Sequence, residues 1–301
     1  MNGAKLSGSD HTSTLAVLMA FISALLWGVW WIPIRWLNTQ GLDAAWASLA
    51  MNAGAALAVL AWIILRRLPL RLDKRTVMGA LLVGVAASTY SVAVNLSDVV
   101  RVILLFYLAP AWSKIIEWAF LGKGWGWVST ATVGLSLIGA YLVLGASLSL
   151  ANFNAGDVLA LLSGISWAVG ATLVFTSKPA HAATLSFAAA LSAAAISGAF
   201  LVFASGTFVT GEANPASIGM GAGLGAIYVL PILLLTMWSA QKLTPAVLTF
   251  LLTAEILSGV ISSTLMLDEP FGLLQAIGAA LILAAAAGEV VPHLRAKVQA
   301  S

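Results

Sequence analysis

Ten apolar stretches, each about as long as a bilayer is thick, fill nearly the whole of this 301-residue chain. A helix needs roughly 20 mainly apolar residues to cross the hydrocarbon core. The runs over 15–37, 44–65, 76–96, 99–120, 125–146, 156–177, 181–205, 217–240, 244–267 and 271–292 meet that requirement. Lipid cannot satisfy backbone N–H and C=O groups, so only helices and closed barrels span it. The runs are continuous and lack period-two alternation, which argues against a barrel. The expected fold is an all-α integral membrane protein with ten transmembrane helices. Composition leaves no room for a soluble domain: 8% of residues are charged, against roughly 25% in soluble proteins. The first run is too long for a signal peptide and no small-x-small cleavage site follows it, so it reads as a retained helix.

Charge placement orients the bundle. With the N-terminus in the cytoplasm, the cytoplasmic segments hold Lys5, Arg66, Arg67, Arg71, Lys74, Arg75, Lys123, Lys178, Lys242, Arg295 and Lys297. That is eleven of the fourteen basic residues; Arg35, Arg101 and Lys114 lie within helices. The opposite loops carry only Asp43, Asp98, Glu212, Asp268 and Glu269. By the positive-inside rule both termini are cytoplasmic. The basic residues form no cluster interleaved with aromatics, so no nucleic-acid partner is expected. The chain has no cysteine, hence no disulfide and no thiolate metal site. No cofactor or metal is expected.

Two copies of a five-helix unit are visible. Ser23-Ala-Leu-Leu-Trp27-Gly28 in the first run is matched by Ser163-Gly-Ile-Ser-Trp167-Ala168 in the sixth. Ile138-Gly139-Ala140 in the fifth is matched by Ile277-Gly278-Ala279 in the tenth, and Ala93 to Val99 by Ala240 to Ala246. Matches in one order at nearly one offset mark an internal repeat. An odd-numbered unit inserts with opposite orientation in its second copy, and inverted pairs of this kind are common in secondary transporters. The division expected is a cytoplasmic tail (1–14), a first repeat (15–146), a linker (147–155), a second repeat (156–292) and a cytoplasmic tail (293–301).

The chain resembles the drug/metabolite transporter superfamily, of the ten-helix EamA type. The resemblance rests on Ser-x-x-x-Trp in the first and sixth helices, on Tyr107-x-x-Pro110, and on the acidic turn Leu267-Asp268-Glu269 followed by the Gly278 helix. The Trp-rich first helix (Trp27, Trp30, Trp31, Trp36) is similar to that of the YddG-type amino-acid exporters. The chain departs from the family pattern at Gly122-Lys123 and Asp268-Glu269, where Gly-Glu is usual, and in carrying Glu255. The resemblance implies export across a bacterial inner membrane.

In an inverted-repeat transporter the substrate sits near the midplane between repeats. Trp27 and Trp167 each fall about 18 Å along their helices at 1.5 Å per residue, deeper than the interfacial belt that Trp favours. They form an aromatic cavity wall, or else face lipid or pack between helices. Trp30 belongs with them. Trp36, Trp46, Trp118, Trp125 and Trp127 are placed for the belts. Tyr90 and Asn95 carry polar groups that must face protein or water. Tyr107 with Pro110, and Tyr228 with Pro231 and Trp238, place an aromatic beside a kink, because proline removes a backbone donor. The candidate substrate site is Trp27, Trp30, Tyr90, Asn95 and Tyr107 from one repeat, with Trp167, Tyr228, Trp238 and Glu255 from the other.

Glu255 sits at the centre of the ninth run. A charged group there costs about 2.5–3.5 kcal/mol on insertion scales, and such residues are functional by default. Three roles stand open: binding a substrate amino group, carrying a coupling proton, or bonding to neighbouring hydroxyls. Lys114 and Glu117 form an i, i+3 pair that reads as an inner gate or as a snorkelling lysine with its partner. Asp98 and Arg101 form a similar pair near the outer end, a local salt bridge first and an outer gate second.

The expected function is secondary transport of a small organic solute. Amino acids with apolar or aromatic side chains come first, and lipophilic cations or passive metabolite facilitation are the alternative. Partners are the solute and membrane lipids, and one chain holding both repeats is sufficient as a monomer. No P-loop, HExxH, paired-Asp or Ser–His pattern lies at depth, so no catalytic residue is assigned and the chain is not read as an enzyme.

Overall fold

The computed structural model describes residues 6–70, 73–122, 124–143, 153–178, 180–203, 213–243, 248, 251–267 and 271–299. Every regular element among them is helical. In the first half these are α1 (Leu6–Gly28), α2 (Trp31–Thr39), α3 (Ala44–Arg66), α4 (Lys74–Leu96), α5 (Val99–Phe106), α6 (Ala109–Leu121) and α7 (Trp127–Val143). In the second they are α8 (Ala155–Phe175), α9 (Ala182–Phe203), α10 (Pro215–Leu224), a π-helical turn (Gly225–Val229), α11 (Leu230–Ala240), α12 (Ala254–Leu267) and α13 (Leu273–Gln299). Six spans are long and apolar enough to cross a membrane, two of them (Thr14–Thr39 and Pro215–Ala240) through a local interruption, and shorter apolar helices supply the others. This is the ten-helix membrane fold. Helix α1 starts at Leu6 and α13 runs to Gln299, so parts of both expected tails are helical. Most of the expected linker, Lys123, Glu212 and the Asp268-Glu269 turn lie outside the described residues.

Hydrogen bonds between connections show which share an end. Arg35 donates to the carbonyls of Val94 and Ser97, Ser217 donates to the carbonyl of Gln40, and Ser97 donates to Asp157. Asp43 and Asp98 also lie here, so this is the acidic end. Thr184 donates to the carbonyl of Pro69 at the opposite, basic end. Helix starts are capped by Asp43, Asp73, Asn154 and Asn214, whose side chains accept the backbone N–H groups a helix leaves over. Backbone and side-chain hydrogen bonds from Thr76 hold the Asp73 carboxyl below its ordinary range.

Without a hydrophobic drive between helices in lipid, close approach depends on small residues. A Cβ on Gly139 would lie 2.7 Å from the carbonyl oxygen of Gly278. These glycines are equivalent positions in the two repeats, so α7 and α13 meet where a pseudo-twofold axis would pass. Gly79 and Gly170 bring α4 onto α8 in the same way.

Among the described residues, four spans expected as continuous helices are interrupted near mid-membrane. Three interruptions lie about one turn before a proline: the Val29–Trp30 turn before Pro33, the end of α5 at Phe106 before Pro110, and the π-helical turn before Pro231. Proline cannot donate to the carbonyl four residues back and its ring crowds that carbonyl. The fourth, a turn at Thr253 immediately before α12, has no proline one turn ahead. Glu255, expected at the centre of an unbroken helix, therefore occupies the first turn of α12.

Candidate functional site

Three of the interruptions, those after Gly28, at Phe106 and at Thr253, border a cavity of about 670 Å³, its open mouth included. Its walls come from both halves: Trp27 of α1, Val83, Ala86, Ala87 and Tyr90 of α4, Phe106, Tyr107 and Ala109 at the α5–α6 break, Ser163 and Trp167 of α8, and Leu252 and Glu255 around the Thr253 turn. The Tyr90 ring meets Phe106 edge-on with centroids 5.6 Å apart, and Trp167 lies 6.2 Å from Phe106. Trp27 stacks on Trp30 at 4.5 Å. Its indole N–H donates to Thr236 at 3.0 Å, and that of Trp30 donates to Ser91 at 3.2 Å. Trp30 thus backs the wall that Trp27 forms.

Broken helices leave carbonyls without their usual partners, and two tyrosines take them up. The Ile256 N–H bonds to Thr253, which releases the carbonyl of Leu252, and the Tyr107 hydroxyl donates to that carbonyl. The Trp30 N–H bonds to Trp27, which releases the carbonyl of Leu26, and the Tyr228 hydroxyl donates to it. Tyr107 also lies within hydrogen-bonding distance, 2.8 Å, of Glu255 Oε2. The Tyr90 hydroxyl lies on the same side of the cavity, buried, and makes no hydrogen bond of ordinary length among the described residues. Ser163 donates to the carbonyl of Ala86 at 2.7 Å, holding α8 against α4. Gly164 lets α8 close on the Phe106 carbonyl that Pro110 cannot cap, since a Cβ there would sit 2.6 Å from that oxygen.

Glu255 is 6% exposed. The N-terminal turn of a helix favours a negative charge, and here that turn opens beside aromatic faces. Such faces attract cations. The arrangement is suited to holding a protonated amine against a carboxylate with the rest of the molecule between rings.

Five of the residues singled out from sequence therefore share the cavity: Trp27, Tyr90, Tyr107, Trp167 and Glu255. Trp30 lies behind it. Tyr228 is engaged by Leu26, and Trp238 is half-buried on α11 and outside the lining. Asn95 sits towards the acidic end, donating to the Ser91 carbonyl and accepting from Asn38. The side chains of Lys114 and Glu117 lie outside the described residues. The expected Asp98–Arg101 pair is corrected. Arg101 is 2.6 Å from Asp157, and Asp98 is exposed and forms no ion pair among the described residues. The reason is geometric: α8 brings a buried carboxylate to the inner face of α5, whereas Asp98 points to water. Sequence reasoning missed Asp157, Phe106 and Ser163. Asp157 had a signal, since an acid three residues after Asn154 at the start of an apolar run is a capping-box pattern.

Tyr107→Phe and Tyr228→Phe are each expected to leave a buried carbonyl unsatisfied, at about 1–3 kcal/mol. Thermal melting of the purified proteins in detergent checks this. Tyr107→Phe should in addition weaken solute binding, whereas Tyr228→Phe should leave it unchanged.

A solved crystal structure described only as that of a protein is similar over 93% of this chain and 98% of its own, with a TM-score of 0.60 and 19% identity. That likeness shows the fold. No curated protein matches the chain. The EamA-like transporter family matches twice, over residues 14–145 and 154–289. Two matches that together span most of the sequence, on a ten-helix frame with a cavity between its halves, place the chain in the EamA-like transporter family, membrane transporters of small solutes.

Proposed function

We propose that the chain is a secondary transporter that exports small amine-bearing solutes by alternating access, foremost amino acids with apolar or aromatic side chains. The observation that carries the reading is Glu255, a carboxylate at mid-membrane facing an aromatic cavity built from both repeats. An ammonium group would pair with Glu255 and meet the Tyr90 hydroxyl, while Trp167 and Phe106 receive an apolar or aromatic body. The tryptophan-rich first span supports an amino-acid exporter of the YddG type. The basic end faces the cytoplasm on the positive-inside rule, in a bacterial inner membrane, and a single chain is the working unit. Membership of a transporter family supports a carrier rather than an enzyme.

One observation favours a second reading. Glu255 is the only acidic or basic side chain among the described lining residues, which suits a lipophilic cation that has no carboxylate to anchor.

Counterflow separates the two. Proteoliposomes loaded with unlabelled amino acids and offered labelled phenylalanine, methionine or threonine should accumulate label. Accumulation of labelled tetraphenylphosphonium and of no amino acid would replace the first reading by the second. Trp167→Ala should weaken solute binding by about 1 kcal/mol or more, the scale of a cation–π or stacking contact. Unchanged kinetics in folded Trp27→Ala, Trp167→Ala and Tyr90→Ala proteins would dismiss this cavity as the transport site.

A further inference from the structure

The acidic end carries a second cluster, separate from the cavity. The Asp157 side chain is fully buried at the start of α8, and Arg101 of α5 is 20% exposed. Asp157 Oδ2 accepts from Arg101 at 2.6 Å and from the Asn154 backbone N–H at 3.1 Å, and Oδ1 accepts from Ser97 at 2.8 Å. The Asn154 side chain donates to Ser97 at 3.3 Å. A capping box needs only Asn154 and Asp157. Arg101 and Ser97 are additions from the other family-matched segment, so the cluster fastens one half of the molecule to the other.

The internal repeat predicts what stands at the opposite end. The offset of 147 that relates Ala93 to Ala240 carries Arg101 onto Leu248, and the offset of 140 that relates Trp27 to Trp167 carries Asp157 back onto Val17. Both counterparts are apolar. Leu248 is fully buried in a cluster with Ala20, Ala24, Ala240 and Leu252. Equivalent serines show the same asymmetry: Ser163 reaches across to α4, whereas Ser23 bonds to Ala20 of its own helix. A repeat that kept its fold has diverged in chemistry where its two ends close.

We propose that Arg101 and Asp157 form an ionic clasp that shuts the acidic end of the transport path, while the basic end closes on the apolar contacts around Leu248. Opening the acidic end separates a buried ion pair from its partners and lets water reach both groups. Opening the basic end exposes aliphatic surface. The two half-cycles therefore meet different barriers, and the charged one is at the acidic end. The clasp rests on alternating access and not on the identity of the solute.

The test reads accessibility without a substrate. The chain has no cysteine, so Ala87→Cys, on the cavity wall, is a single reporter for a membrane-impermeant maleimide. Intact cells present one face and inverted vesicles the other, and Asp98→Cys, exposed at the acidic end, identifies which. Added to the Ala87→Cys protein, Arg101→Gln and Asp157→Asn should each raise labelling from the acidic face on the order of tenfold, as loss of one partner of a buried pair biases it to open. Exchange of the two, Arg101→Asp with Asp157→Arg, should bring it back towards the parent rate. Asn154→Ala, which weakens the cap and spares the pair, should change labelling little. Unchanged labelling in a monodisperse Arg101→Gln protein would overturn the proposal, and so would an Asn154→Ala effect as large as that of Asp157→Asn. Should the charge variants fail to fold, adding Ser97→Cys with Asn154→Cys to the reporter protein keeps the pair. Oxidised before labelling, this protein should shield the Ala87→Cys thiol from the acidic face until it is reduced, the label being counted only on the peptide that carries position 87. Equal labelling with the disulfide closed and open would equally defeat the clasp.

Discussion

Glu255→Gln protein is expected to fold, keep its thermal stability to within about 1 kcal/mol, and lose counterflow. Glutamine preserves the shape of the side chain and an oxygen for the Tyr107 hydroxyl, which lies 2.8 Å from Oε2. What it removes is the negative charge at the mouth of α12. Truncating one member of a buried, hydrogen-bonded charge pair costs about 2–5 kcal/mol, at least ~30-fold in affinity. The solute's ammonium group would be that other member. Quenching of the tryptophans that wall the cavity gives the affinity, and exchange in proteoliposomes gives the rate. Glu255→Asp should retain part of both, because the charge stays and only its reach shortens. Wild-type exchange by the glutamine variant would make the carboxylate a purely structural partner of Tyr107.

The second large effect is steric. Gly28→Val should reduce folded protein sharply and stop transport in whatever folds. Helices α1 and α12 cross at Gly28, where a Cβ would run into Ser258 Oγ, the Glu255 carbonyl oxygen and, at 2.8 Å, the Gly259 nitrogen. Two of these are backbone atoms and cannot swing aside. Overpacking costs about 1–3 kcal/mol when a core can shift, and the upper end applies where backbone meets backbone. Any relief moves α12, and with it Glu255, away from Trp27. Gly223→Val is the control: that glycine is exposed and nothing lies within 4 Å of a Cβ there. Equal melting temperatures and equal exchange in the two variants would show that the crossing is looser than described.

Some residues were legible because their role follows from depth alone. Trp27 and Trp167 lie at mid-span and recur in both repeats, and a carboxyl at the depth of Glu255 demands a reason in any membrane protein. Both arguments use position along one helix and the cost of polarity in lipid, and both led to the cavity. Tyr228 and Trp238 looked equally suited by the same reasoning, yet Tyr228 spends its hydroxyl on Leu26 and Trp238 stands outside the lining. Rotation about a helix axis separates these outcomes, and a helix apolar on nearly every face does not encode its rotation. Asp98 and Arg101 show the same limit. Spacing of i, i+3 makes them neighbours on a helix surface, but the stronger partner arrived on another helix.

Hydropathy by itself determined the class of protein and the number of spans, because transfer into lipid is a property of each segment taken alone, and matched residues in one order along the chain revealed the internal repeat. Pro110 and Pro231 foretold two of the four breaks for the same local reason. Tertiary packing decided the rest. Tyr107 reaches Leu252 across 145 residues and Arg101 reaches Asp157 across 56. No local term selects those pairs. They form because small residues let particular helices close to contact, and because a buried carbonyl or carboxylate with no water nearby must be met by whichever donor the packing brings.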